Sequence, residues 1–260
     1  MIAFLLNFLS SIPELKIMKL RLFTYLILAT LMASCGSKSQ TESSKEADVK
    51  ETTKWITLFN GENFDGWEMY GEEPFTEHWS IVDGSIACNA GIGEENVGFF
   101  RSIMTTKDFG NFELELEYKI AKGGNSGIFY HVVEKEEWGH DYVSGPEYQV
   151  LDDEHSRSES EPYKMVASSY AMYPAAATKK PNPYMQWNKV KIVYNEGHVE
   201  HWLNDQKVLE FEEGSEDWLA KKAAGKWANA DSYAASKTGR ISLQNHGDEV
   251  YYRNIRIKEL

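Results

Sequence analysis

An all-β sandwich of the jelly-roll type is what this 260-residue chain predicts, and three observations carry the prediction. Residues 112–120 alternate strictly, with Phe112, Leu114, Leu116, Tyr118 and Ile120 set between Glu113, Glu115, Glu117 and Lys119. That is the period of a strand with one face on a core and the other in water. Short runs of the same kind recur at 187–194, 199–203, 208–211, 239–243 and 251–257, joined by Asn195-Glu196-Gly197 and Asn204-Asp205, which suit tight hairpins. Aromatic residues make up 13% of the chain, a share that favours β-rich packing and a face able to stack on sugars. Many short strands with tight turns close into two packed antiparallel sheets.

The first 34 residues stand outside the fold. Lys19 and Arg21, the apolar run 22–32 and the small pair Ala33-Ser34 before Cys35 form a secretory signal. The apolar run is too short for a hydrocarbon core that takes about 20 residues. Small residues directly before a cysteine resemble the bacterial lipobox, which implies lipidation of Cys35 as the mature first residue. The expected location is therefore a membrane-anchored, exported lipoprotein on the periplasmic face or cell surface of a bacterium. Translation is expected to start at Met18, because residues 1–17 are a second apolar stretch broken by Pro13 and Glu14. Residues 35–54 are polar, lack aromatics and read as a disordered tether, which leaves 55–260 as the folded domain.

A net charge of −13 repels a phosphate backbone and no basic patch offsets it, so nucleic acid is excluded as a partner. Mean hydropathy of −0.49 excludes a multi-span membrane protein, leaving membrane contact through the lipid only. With Cys35 acylated, Cys88 is the one remaining thiol, so the domain is expected to fold without a disulfide and to bury Cys88 as a small residue. Residues 216–224 are the single helical stretch, read as a surface insert, while 134–144, 153–161 and 175–183 are loops of the kind that wall a cleft.

Three segments place polar residues where a strand would ordinarily place apolar ones. Alternation sets Asn125, Gly127, Phe129 and His131 on one face of the first. In the second, Glu147 and Gln149 share a face opposite Tyr148, Val150 and Asp152; in the third, Ser242, Gln244 and His246 share a face opposite Ile241 and Leu243. A single sheet carrying Glu147, Gln149, Gln244 and His246 on one side would have a polar floor with a carboxylate and an imidazole, suited to acid–base chemistry. On pattern alone, an outward Glu or His is more often simply solvated. The seven histidines lack zinc-ligand spacing, Asp152-Asp153-Glu154 lacks a calcium-loop pattern, and no phosphate-loop or nucleophile-elbow motif occurs in the folded unit.

Further motifs run in order along the domain: Leu58-Phe59-Asn60-Gly61, Asp65-Gly66-Trp67, Trp79-Ser80-Ile81-Val82-Asp83-Gly84, Asp108-Phe109, Gly124-Asn125-Ser126-Gly127-Ile128, Gly145-Pro146-Glu147-Tyr148-Gln149-Val150-Leu151-Asp152, Trp187-Asn188, His201-Trp202-Leu203-Asn204 and Gly239-Arg240-Ile241-Ser242-Leu243-Gln244-Asn245-His246-Gly247, then Arg253-Asn254-Ile255. Together they resemble the 3-keto-disaccharide hydrolase family, formerly a domain of unknown function. The resemblance implies a concanavalin A-like jelly roll, often on an exported bacterial lipoprotein, acting on glycosides oxidised at C3. A ketone at C3 acidifies the C2 proton, so the bond at C1 can break by elimination followed by hydration. This needs a base near C2, donors to the developing enolate and an acid for the leaving oxygen. The match makes Glu147 the base and His246 the partner acid or enolate stabiliser. Asn125, Gln149, Gln244 and His131 become hydroxyl-binding residues, and Trp138 a stacking platform. No cofactor is expected, with a divalent metal as an alternative electrophile to His246. Two rivals share the fold: a laminarinase-type glycosidase with two carboxylates about 5 to 5.5 Å apart, and a non-catalytic sugar-binding module. Opposite strand parity of Glu147 and Asp152 opposes the first.

Overall fold

The computed structural model describes residues 54–71, 74–75, 77–89, 101–135, 137–156 and 161–260; the expected secretory signal at 1–34, Cys35 and all but the last residue of the expected tether at 35–54 lie outside the described residues. Five short strands open the domain: β1 (Ile56–Thr57), β2 (Trp67–Met69), β3 (Trp79–Val82), β4 (Ser85–Cys88) and β5 (Ile103–Thr105). Longer ones follow as β6 (Phe112–Ile120), β7 (Asn125–Val132), β8 (Glu147–Leu151), β9 (Asn188–Asn195), β10 (His198–Leu203) and β11 (Gln206–Glu212). A helix, α1 (Glu216–Ala224), precedes β12 (Arg240–Leu243) and β13 (Val250–Glu259).

These strands form the two antiparallel layers of a jelly-roll sandwich. The eight-stranded sheet runs β11-β10-β9-β6-β13-β4-β3, with β1 beside the end of β13, and the five-stranded sheet runs β2-β5-β12-β7-β8. The alternation in β6 buries Phe112, Leu114, Leu116, Tyr118 and Ile120 against the facing Ile128, Tyr130, Tyr148, Val150, Ile241 and Leu243. On the solvent side Glu113, Glu115 and Glu117 pair across to Lys258, Arg256 and Arg253 of β13, at registers that put each acid directly opposite its base. Solvated pairs of this kind contribute little individually, yet they fix which face is wet. Cys88 is fully buried and free, its thiol pushed up to about 12 by burial, so it is a packing residue.

One expectation of alternation fails inside β7. His131 has a φ of 53°, and the pairing with β12 shifts between Phe129–Ser242 and Val132–Arg240, so a bulge interrupts the two-residue period. His131 therefore turns into the core rather than sharing the face of Asn125. Its ring meets Tyr194 edge to face at 4.3 Å, and its Nε2 lies 2.9 Å from the Gly110 carbonyl. Burial holds its imidazole near pKa 4, neutral at physiological pH. This residue cannot bind a hydroxyl on the outer face.

The helical stretch is found at its expected bounds, capped by Ser215, which accepts from the Trp218 N–H. As a surface insert the segment is only half described. Trp218, Tyr233 and Trp227 are buried and stack in a column, with Tyr233 between the two indoles at 6.2 and 4.2 Å. The insert thus closes on the sandwich through its aromatics, while the residues between them stay at the surface.

Candidate active site

The outer face of the five-stranded sheet carries the polar residues. Strand registers align Glu68, Met104, Ser242, Phe129 and Glu147 in one row across β2, β5, β12, β7 and β8. In the next row Gly127 lies opposite Gln149 and accepts the Gln244 N–H on its carbonyl. Glu147, Gln149 and Gln244 are thereby brought around Gly127. A Cβ at position 127 would sit 2.9 Å from the Glu147 Cδ, so the carboxyl fills room that only glycine leaves. Asn125 begins β7 at the end of the same face, and Asp152 lies beyond the end of β8, where its carboxylate accepts the Gly123 N–H and meets His155.

Loops then close over this face. The turn at Asp141–Val143 brings Asp141 onto it, where the carboxylate accepts from Ser242 Oγ at 2.7 Å and from the Tyr142 N–H at 2.9 Å. The segment after residue 161 runs along β8: Gln149 donates to the Lys164 carbonyl, and Tyr170 donates its N–H to the Glu147 carbonyl. The insert adds Lys226, whose ammonium lies 4.6 Å from the rings of both Tyr170 and Trp227.

This setting decides the protonation of Glu147. Burial, with the Asp141 charge second, pushes its carboxyl up to about 8, against the opposing pull of Lys226. Asp141 is also raised by burial, opposed by its hydrogen bonds from Ser242, Ser102 and the Tyr142 N–H. A carboxyl poised near neutrality exchanges protons in both directions, which a solvated glutamate does poorly at pH 7. Around it, Gln149 Oε1, Gln244 Oε1 and Asn125 Oδ1 are buried without a protein partner, acceptors turned toward nothing in the chain. They fit the hydroxyls of a bound sugar.

Two other expected site residues lie in loops rather than on the sheet. β12 ends at Leu243, so His246 leaves the strand and lies exposed, forming no hydrogen bond or ion pair among the described residues. Trp138 sits in the loop after β7, its ring covered by Lys135 at 4.3 Å. Asp141, Lys226, Tyr142 and Tyr170 were not singled out by the sequence. No short motif marks them, because loops and an insert distant in sequence bring them to the site. His198, Glu200 and Glu210 can converge on an ion on the other sheet, but Lys207 already pairs with both glutamates.

Fold and site together define a jelly-roll enzyme of the glycoside-hydrolase kind. The chain belongs to the family of the 3-keto-alpha-glucoside-1,2-lyase-like domain, which matches residues 54–258. It is 38% identical over 228 residues to the 3-keto-disaccharide hydrolase of Bacteroides thetaiotaomicron, covering 79% of this chain and 78% of that one. Among solved structures it resembles a protein of Parabacteroides distasonis provisionally called a glycosyl hydrolase, at 38% identity and a TM-score of 0.72 over 79% of this chain and 94% of the other. A second protein of that organism, at 24% identity and a TM-score of 0.59, covers 80% of this chain and all of its own length and shares the fold.

Proposed function

We propose that this enzyme cleaves the glycosidic bond of 3-keto glycosides or disaccharides by elimination and hydration, with Glu147 as the proton-transfer group. The carrying observation is Glu147 itself, buried in the gap left by Gly127 and held near neutrality beside Asp141. Glu147 takes the C2 proton, while Gln149, Gln244 and Asn125 orient hydroxyls through their unpaired oxygens. Water then adds across the C1=C2 bond of the eliminated sugar. The purified protein is expected to turn over a 3-keto glycoside and to leave its unoxidised parent intact. Turnover of the parent would instead support a direct glycosidase, and binding of the keto sugar without turnover a sugar-binding module.

We also propose that the protein is exported and held at a membrane by a lipid on Cys35. The lipobox-like Ala33-Ser34-Cys35 supports this. Cys35→Ser is expected to move the protein from the membrane fraction to the soluble one with its melting temperature unchanged. A variant that stays with the membrane would sink the lipid anchor.

A further inference from the structure

Lys226 is the cation that acts on Glu147, and the fold holds it with care. Its ammonium lies 4.6 Å from the Tyr170 and Trp227 ring centres and 6.0 Å from that of Tyr142, a three-sided aromatic surround that attracts a cation and limits its motion. Those same residues anchor the acids: the Tyr170 N–H bonds to the Glu147 carbonyl, and the Tyr142 N–H to the Asp141 carboxylate. Trp227 in turn is fixed by its stack on Tyr233 and by donating its indole N–H to the Tyr170 carbonyl. Lys226 forms no hydrogen bond or ion pair of its own among the described residues. The other nearby cations are committed: Lys164 to Glu161, Arg240 to Glu68, and Arg101 to the Gly139 carbonyl.

Glu147 and Lys226 thus influence one another electrostatically without forming an ion pair, and they are linked through Tyr170, whose N–H bonds the Glu147 carbonyl and whose ring lies 4.6 Å from the ammonium. An ordinary surface lysine would reach for a carboxylate or for water. Lys226 is exposed as a residue, yet its ammonium stands over aromatic rings, and partial burial and Lys164 draw it below its usual range against the pull of Glu147. A partly desolvated ammonium is a stronger donor to a developing oxyanion than a hydrated one.

We propose that Lys226 is a catalytic residue of the elimination, donating a hydrogen bond to the C3 oxygen of the sugar while Glu147 removes the C2 proton. The assignment rests on the elimination reading above. In the step, the C2–H bond breaks to Glu147 and its electron pair forms the C2=C3 bond of an enolate, whose negative oxygen faces Lys226. The C3=O bond then re-forms, C1=C2 forms, and the C1–O bond breaks, the leaving oxygen taking up one proton. No oxidant or reductant is consumed. The titratable groups coupled electrostatically to Glu147 are Asp141 from the turn after β7, Tyr170 from the segment along β8, Tyr233 and Lys226 from the insert, and, from the core, Tyr252 of β13. Lys226 is the cation among them, which makes the pH profile a direct readout.

Lys226→Met keeps the stem and removes the charge, and Lys226→Arg keeps a charged donor. With a 3-keto glycoside as substrate, Lys226→Met is expected to lower kcat by about 10²–10³-fold, the usual value of one oxyanion donor, with KM within a few-fold. Its melting temperature should match wild type within a few degrees, because Lys226 is an exposed residue that forms no hydrogen bond or ion pair among the described residues. The rise of kcat/KM with pH, set by Glu147 losing its proton, should move to higher pH, and Lys226→Arg should recover part of both effects. A Lys226→Met protein with kcat close to wild type, a loss confined to KM, or a kcat loss without movement of the pH profile would each overturn the assignment. A wild-type protein that leaves the 3-keto glycoside intact would overturn the elimination reading itself, and this assignment with it.

Discussion

Glu147→Gln is expected to lower turnover of a 3-keto glycoside by about 10²–10⁴-fold, the usual value of one general base, while making the protein more stable at alkaline pH. Both effects have one origin. The folded chain holds the Glu147 proton up to about pH 8, whereas an unfolded glutamate releases it near 4.5. The folded state therefore binds more protons between those values, so the stability present at pH 4.5 is progressively lost as pH rises through 8. Over that window the loss is about 5 kcal/mol, and glutamine, which never ionises, avoids it. The variant should melt roughly 10 °C above wild type at pH 9 and nearly with it at pH 5. Steady-state kinetics and melting curves at the two pH values test the pair. Wild-type turnover in Glu147→Gln, beside a folded but inactive Asp152→Asn, would mean that the catalytic face of β8 is the opposite one. Asp152 is otherwise expected to matter for folding, since it holds the Gly123 N–H and His155.

Gly239→Ala is expected to destabilise the fold by about 3 kcal/mol, at the upper end of what overpacking costs. A Cβ there would lie 2.5 Å from the His131 carbonyl carbon and 2.6 Å from the Val132 oxygen. Both are backbone atoms of the β7 bulge, so no side chain can rotate away. Relief requires moving the bulge, and with it the His131 ring packed against Tyr194. Urea unfolding checks this: the midpoint should fall with the denaturant slope unchanged. An unaltered midpoint would show that the bulge yields freely and that the tight approach of β12 is not needed.

The legible parts of this protein were those governed by local period. The β6 alternation, the β9–β10 and β10–β11 hairpins and the bounds of α1 depend on neighbours a few residues away, and the structure keeps them. Glu147 and Gln149 were legible for the same reason, two positions apart on one strand. His131 was not, because a non-glycine residue at positive φ breaks the period without a sequence mark. His246 was misplaced on a strand that stops at Leu243. Asp141 and Lys226 are acidic and basic residues in polar segments, and only the closure of loops from distant parts of the chain separates them from other surface charges.

The division of labour between sheet and insert has a consequence for how the site responds to change. Glu147 is held by strand register, while Lys226 hangs from a segment fastened by the column of Trp218, Tyr233 and Trp227 and paired with neither sheet. Glu147 and Lys226 are thus positioned by separate parts of the chain, so a change in the insert would move the cation while leaving the register that holds the acid intact.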